Sequence, residues 1–194
     1  MAQKWSNKNL PGALHFVTGN VHRRLPIFRK EAFCRAFLEE LQNLKTKREC
    51  KLIAFVVMPD HIHLIVNPCD GEIREWTGAL KSLSAKRLTK LAPKDFFLQS
   101  DGENQVWQES FKDLPLWSNW MIWQKINYIH NNPLKAKLAD SAKDYQWSSF
   151  RTFYKLELSE LLQVDEDWWF ENDVRKLSVA MAEWNKELEE KYKK

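Results

Sequence analysis

The chain has 194 residues, 44% hydrophobic and 29% charged, with a net charge of +4. That length suits one domain with an extension and supplies enough apolar surface for a real core. No apolar run approaches the ~18–20 residues of a bilayer span and no signal peptide is read at the start, so a membrane role is not expected.

Cys34, Cys50 and Cys69 are scattered and odd in number, which reads as reduced thiols in a cytoplasmic protein. Charge is unevenly spread. Arg23, Arg24, Arg29, Lys30, Arg35, Lys45, Lys47, Arg48 and Lys51 crowd the first quarter against four acids, while the tail from Asp165 is rich in Asp and Glu. A basic front suggests a polyanionic partner, though a solvated charged face gives the same pattern.

Residues 12–22 (GALHFVTGNVH) form a plausible first strand, with Leu14, Phe16 and Thr18 on one face and His15 and Val17 on the other. From Lys30 to about Lys47, Phe33, Phe37, Leu41 and Leu44 recur at helical spacing. Residues 51–58 and 61–67 read as two strands joined at Pro59-Asp60, a pair suited to a tight turn. Glu72 to Leu91 is predicted helical, with Ile73, Trp76, Leu80 and Leu83 inside and Lys81, Lys86, Arg87 and Lys90 outside. A loop over 93–105 carries an Asp101-Gly102 turn signal, and residues 105–111 (QVWQESF) are predicted as a further strand. The next helix starts near Ser118, a good N-cap, and is expected to end around Pro133.

The order β-α-β-β-α-β-α describes an α+β, ferredoxin-like (RRM-like) sandwich with an antiparallel sheet and an added helix, a fold that does not by itself decide function. Residues 10–150 are expected to form this domain. Residues 151–194 read as an accessory tail ending in a long charged helix.

The stretch VVMPDHIHLIVNP (56–68) puts His61 and His63 on one face of a strand, with Ile62 pointing away. Two imidazoles on one face can be a pair of satisfied strand histidines, or they can offer two nitrogens to one cation. On the last helix, Ile122, Ile126 and Ile129 form the apolar stripe. Tyr128 lies about 200° around the helix from Ile126, off that stripe, and shares a face with Gln124 and Asn132. Trp107, Trp117, Trp120, Trp123 and Trp147 cluster around this helix and read as packing rather than as platforms for bases.

MPDHIHLIV followed by NYIHNNPLKAKL resembles the single-tyrosine HUH transposases, most closely their REP-associated tyrosine transposase branch. PGALHFVTGNVHRR, QVWQESFKD and WSSF add matches in the same order. The resemblance covers residues 10–150 and implies cleavage and rejoining of single-stranded DNA near hairpin or repeat ends. It implies that His61 and His63 hold a divalent ion, that Asn132 completes the metal site, and that Tyr128 is the nucleophile; it gives His130 no role. Mg²⁺ or Mn²⁺ is the expected ion. The expected partner is single-stranded or hairpin DNA, with Arg23, Arg24, Lys81, Lys86 and Arg87 as candidate phosphate contacts. Monomer and homodimer both remain open. The competing reading is a catalytically idle DNA- or RNA-hairpin-binding module on the same fold.

Overall fold

A computed structural model of the chain describes residues 13–97, 104–116, 118–156 and 162–166. The Asp101-Gly102 turn, Trp117 and the charged C-terminal helix lie outside the described residues. The elements are β1 (Leu14–Asn20), α1 (Glu31–Lys47), β2 (Cys50–Met58), β3 (His61–Pro68), α2 (Ile73–Leu91), β4 (Lys112–Leu116), α3 (Asn119–Lys135) and the short α4 (Phe150–Phe153). The four strands form one antiparallel sheet in the order β2-β3-β1-β4. This is the ferredoxin-like arrangement expected from the element order.

Both faces of the sheet are covered, which is why β2 reads as an almost unbroken apolar run. Val17, Leu52, Phe55, Val57, Ile62, Leu64 and Val66 face α1 and α2. Leu14, Phe16, Ile53, Val56, Met58 and Ile65 face α3, where they meet Ile122, Trp123, Ile126 and Ile129. The β2–β3 turn is held from outside: Val21 N–H donates to the Asp60 carbonyl and Phe28 N–H to the Pro59 carbonyl, both at 3.0 Å.

Three predicted details are corrected. On α2, Ile73, Trp76 and Leu80 are buried but Leu83 is 37% exposed, and Ser84 takes the inner position. The seam steps by four from Leu80 to Ser84 to Leu88, leaving Leu83 one residue, ~100°, behind it. Ser84 tolerates burial because its hydroxyl donates to the Leu80 carbonyl (2.6 Å) and accepts the Trp107 indole N–H (3.0 Å).

The fourth strand is residues 112–116, not 105–111. Val106 and Trp107 are buried, as their strand-like composition suggests, but against α1 and α2 beyond the end of β1. There His22 N–H donates to the Val106 carbonyl and Gln108 N–H to the Asn20 carbonyl. The ladder with β1 forms instead from KDLPL, and Pro115 is accepted because β4 is an edge strand.

Helix α3 begins as expected, Ser118 Oγ accepting the Met121 N–H, but it runs through Pro133 to Lys135. Proline removes its own donor and crowds the carbonyl four residues back, a cost this helix accepts within its last turn. The helix closes two residues later through Lys137 N–H to the Leu134 carbonyl and Leu138 N–H to the Pro133 carbonyl, with Lys137 at φ 56°. This is a Schellman cap with lysine where glycine is usual.

The outer edge of β2 is closed by the segment after α3. Phe55 N–H donates to Ser149 Oγ, Ser149 N–H to the Phe55 carbonyl, and Val57 N–H to the Trp147 carbonyl. Farther along, Leu52 N–H donates to the Asp165 carboxylate and Asp165 N–H to the Leu52 carbonyl, while Leu162 is buried in the α1–α2 core. An edge strand covered in this way cannot template another chain. No helix among the described residues is long and apolar enough to cross a membrane.

Candidate active site

His61 and His63 lie on the face of β3 that looks toward α3, opposite Asn20 and Thr18 of β1. Their ring centroids are 4.8 Å apart. Each ring is fixed through Nδ1, His63 to Thr18 Oγ1 at 2.8 Å and His61 to Asp60 Oδ1 at 2.6 Å. These bonds leave Nε2 of each imidazole for another ligand. Burial lowers the pKa of both rings, and that of His63 falls to about 3 with further help from His61, Arg24 and Lys125. Both are therefore neutral near pH 7, the form that ligates a metal.

Tyr128 comes to this pair from α3. Its ring is 5.3 Å from His63 and meets the edge of Phe16 at 5.7 Å, while Phe16 stacks on His63 at 5.3 Å. Ile122, Ile126 and Ile129 are buried and Tyr128 is 37% exposed, so the tyrosine lies off the apolar stripe with one side open to solvent. Asn132 follows one turn later, half-buried, and its amide nitrogen is buried without a hydrogen-bond partner. A buried amide without a partner is costly in a structure with nothing else at that point. A half-turn of the side chain would present the amide oxygen instead. Two neutral imidazoles on one face would suit a divalent ion, with Asn132, one turn beyond Tyr128 on α3, as the candidate third donor. Among the described residues no group of three His, Cys, Asp or Glu could hold a metal, so a third protein donor would have to be of another type.

Comparison with known proteins shows the family. A family profile described as "Transposase IS200 like" matches residues 12–132. The chain belongs to the IS200-like transposase family. It is 27% identical over 128 residues to a Haemophilus influenzae protein named as a REP-associated tyrosine transposase, covering 63% of this chain and 69% of the relative. Its fold is similar to that of a solved REP-associated tyrosine transposase bound to a REP hairpin, with a TM-score of 0.62 at 19% identity, covering 84% of this chain and 93% of the other.

In this transposase-family chain the cations singled out in the sequence divide by face. Lys81, Lys86 and Arg87 sit on α2, across the sheet from Tyr128. Lys81 Nζ donates to the Gln108 and Glu109 carbonyls at 2.6 and 2.7 Å, tying down the segment before β4. Arg87 bridges to Glu39 and Glu40 of α1. Lys86 and Arg23 are exposed. Arg24 is exposed but paired: its Nε lies 2.9 Å from Asp60 Oδ2, so it braces the carboxylate that holds His61. On α2, then, Lys81 and Arg87 are tied to neighbours within the fold while Lys86 stays exposed.

The sequence reading missed Lys125 and Lys135, which lie over the Tyr128 ring at 5.7 and 5.4 Å. Their spacing from Tyr128, three before and seven after, was the available signal. It also missed Thr18 as a partner of His63, which only strand register reveals. Trp107 and Trp123 are buried as expected, but Trp120 is 52% exposed on the first turn of α3.

His130 acquires a structural role. It is buried among Phe150, Phe153 and Tyr154, and its Nε2 lies 2.9 Å from Ser149 Oγ. The same hydroxyl accepts the Phe55 N–H and donates to the Phe55 carbonyl, so His130 supplies the remaining hydrogen from Nε2. His130 therefore pins the WSSF segment to the edge of β2.

Proposed function

We propose that this chain nicks and rejoins single-stranded DNA beside a hairpin or repeat end, with Tyr128 as nucleophile. The observation that carries the reading is the placement of the Tyr128 ring against His63, with His61 on the same face of the sheet. The solved relative of the same fold holds a REP hairpin, which supports hairpin DNA as the substrate class.

In this reading the Tyr128 oxygen forms a bond to phosphorus as the bond from phosphorus to the 3′ oxygen breaks. The phenol proton is released and the departing oxygen leaves as a 3′-hydroxyl. The protein then carries a 5′-phosphotyrosine, whose ester energy allows a 3′-hydroxyl to reverse the step without ATP. His61, His63 and Asn132 would hold a divalent ion such as Mg²⁺ or Mn²⁺. When bound, it supplies Lewis-acid polarisation of the phosphate and alignment for in-line attack. Asp60 and Thr18 orient the two imidazoles through Nδ1, so the ligating nitrogens need no reorganisation. Phe16, from β1, meets the tyrosine ring edge-on.

The test is a denaturing gel of a labelled single strand carrying a hairpin from the DNA flanking the gene, incubated with Mg²⁺ or Mn²⁺. A slow-migrating covalent adduct to the 5′ end of the fragment downstream of the break is expected. Tight hairpin binding with no adduct under any divalent ion would replace this reading with that of an idle binding module.

A further inference from the structure

We propose that Lys125 is a catalytic residue whose ammonium contacts the scissile phosphate as Tyr128 attacks it. The inference rests on the reading of Tyr128 as nucleophile. Lys125 precedes Tyr128 by three positions on α3, so the two side chains are neighbours on the helix surface. Its Nζ lies 4.9 Å from the Phe16 ring centroid and 5.7 Å from that of Tyr128. Phe16 also stacks on His63, so one aromatic floor joins the ammonium, the histidine pair and the tyrosine. A phosphate brought to Tyr128 and facing the histidines would meet this half-buried ammonium on the helix side.

The charge logic is direct. A phosphodiester carries one negative charge, and the five-coordinate transition state gathers more on its non-bridging oxygens. A cation fixed in advance against that position stabilises the transition state more than the ground state. Lys125 is half-buried, and burial lowers its pKa from the ordinary lysine value, as expected of an ammonium partly removed from water. Lys135 reaches the same ring at 5.4 Å, but from an exposed position in the last turn, where solvent screens it. The plainer alternative is a surface lysine whose methylenes merely cover Phe16. Lys125→Met keeps that cover and removes the charge, so it separates the two.

The first measurement uses full-length Tyr128→Phe protein without divalent ions, and hairpin oligonucleotides that span the cleavage position. One oligonucleotide carries an ordinary phosphate at that linkage and the other a neutral methylphosphonate. The ordinary phosphate should bind on the order of tenfold more tightly, and adding Lys125→Met should remove most of that difference. The second measurement is single-turnover adduct formation at saturating protein. Lys125→Met should slow it on the order of 100-fold even with the hairpin saturated, and Lys125→Arg should recover part of the rate. Should Lys125→Met not fold, Lys125→Gln serves in both assays. Adduct formation at the wild-type rate in the Met or Gln variant, or a phosphate–methylphosphonate difference that survives it, overturns the assignment. Wild type that forms no adduct would instead sink the proposed function.

Discussion

Tyr128 combines an exposed flank with contacts to Phe16 and His63, so its hydroxyl contributes little to folding. Tyr128→Phe should change stability by less than about 1 kcal/mol. It should abolish the covalent adduct outright, because no other atom of that side chain can attack phosphorus. Denaturant titration and the adduct gel measure the two effects separately. An adduct persisting in Tyr128→Phe would move the nucleophile. Tyr145, whose hydroxyl donates to the Val57 carbonyl at 2.8 Å, and Tyr154, pushed up to about 12 by burial, are poorly disposed to take over. Thr18→Val is the corresponding change at the proposed metal site. It keeps the shape beside His63 but removes the hydroxyl at Nδ1, and should weaken Mn²⁺ binding roughly 10–100-fold by titration monitored with electron paramagnetic resonance. Undiminished affinity would mean that the hydroxyl does not orient the ligand.

At the scale of elements, the junction between α3, β2 and the WSSF segment concentrates buried polar groups. Ser149→Ala would leave the Phe55 N–H and the His130 ring without their shared partner, and should destabilise the fold by about 1–3 kcal/mol in a urea melt. The same junction has a pH signature. Burial holds His130 down at about 3 against an ordinary value of 6.5. The unfolded chain therefore binds this proton first as pH falls, so the stabilisation is complete above about 6.5 and is lost progressively toward 3. Stability measured between pH 7.5 and 5 should decline, and His130→Gln should show a shallower decline than wild type. Equal slopes would place the titration elsewhere. Helix α3 thus serves two sides: Tyr128 toward the histidine pair, His130 toward the segment that closes the sheet.

For the whole molecule, the placement of charge relative to the sheet decides which lysines can meet DNA. Basic composition alone suggests that removing Lys86 and Arg87 together should flatten the salt dependence of binding. In the fold, α2 lies across the sheet from Tyr128 and Arg87 is paired with Glu39 and Glu40, which argues for a DNA path on the other face. The double substitution should leave the slope of log affinity against log salt unchanged. Lys135→Gln should reduce that slope by about 1, the effect of losing one phosphate contact. A flatter slope in the α2 variant would put the DNA path on the opposite face.

The sequence by itself determined the element order, the facing of His61 and His63, the Ser118 cap, and the exclusion of Tyr128 from its helix stripe. Each follows from short-range periodicity or from one side chain acting on its own backbone. The ordered motifs around the histidines and the tyrosine were enough to indicate the family. Other features depended on residues far apart in the chain. Whether 105–111 or 112–116 paired with β1 turned on which run could bury one face under α3, and local strand propensity is nearly blind to that. Pro133 suggested an early stop, but the Schellman closure two residues later supplied bonds that no local rule anticipates. Lys81, Arg87 and Arg24 read as free cations until packing brought carbonyls and carboxylates to them. Thr18 and His63 are 45 positions apart, and His130 and Ser149 are 19 apart. Only the tertiary structure decided those pairs, because hydrogen bonds and charge depend on separation in space, which sequence distance does not encode.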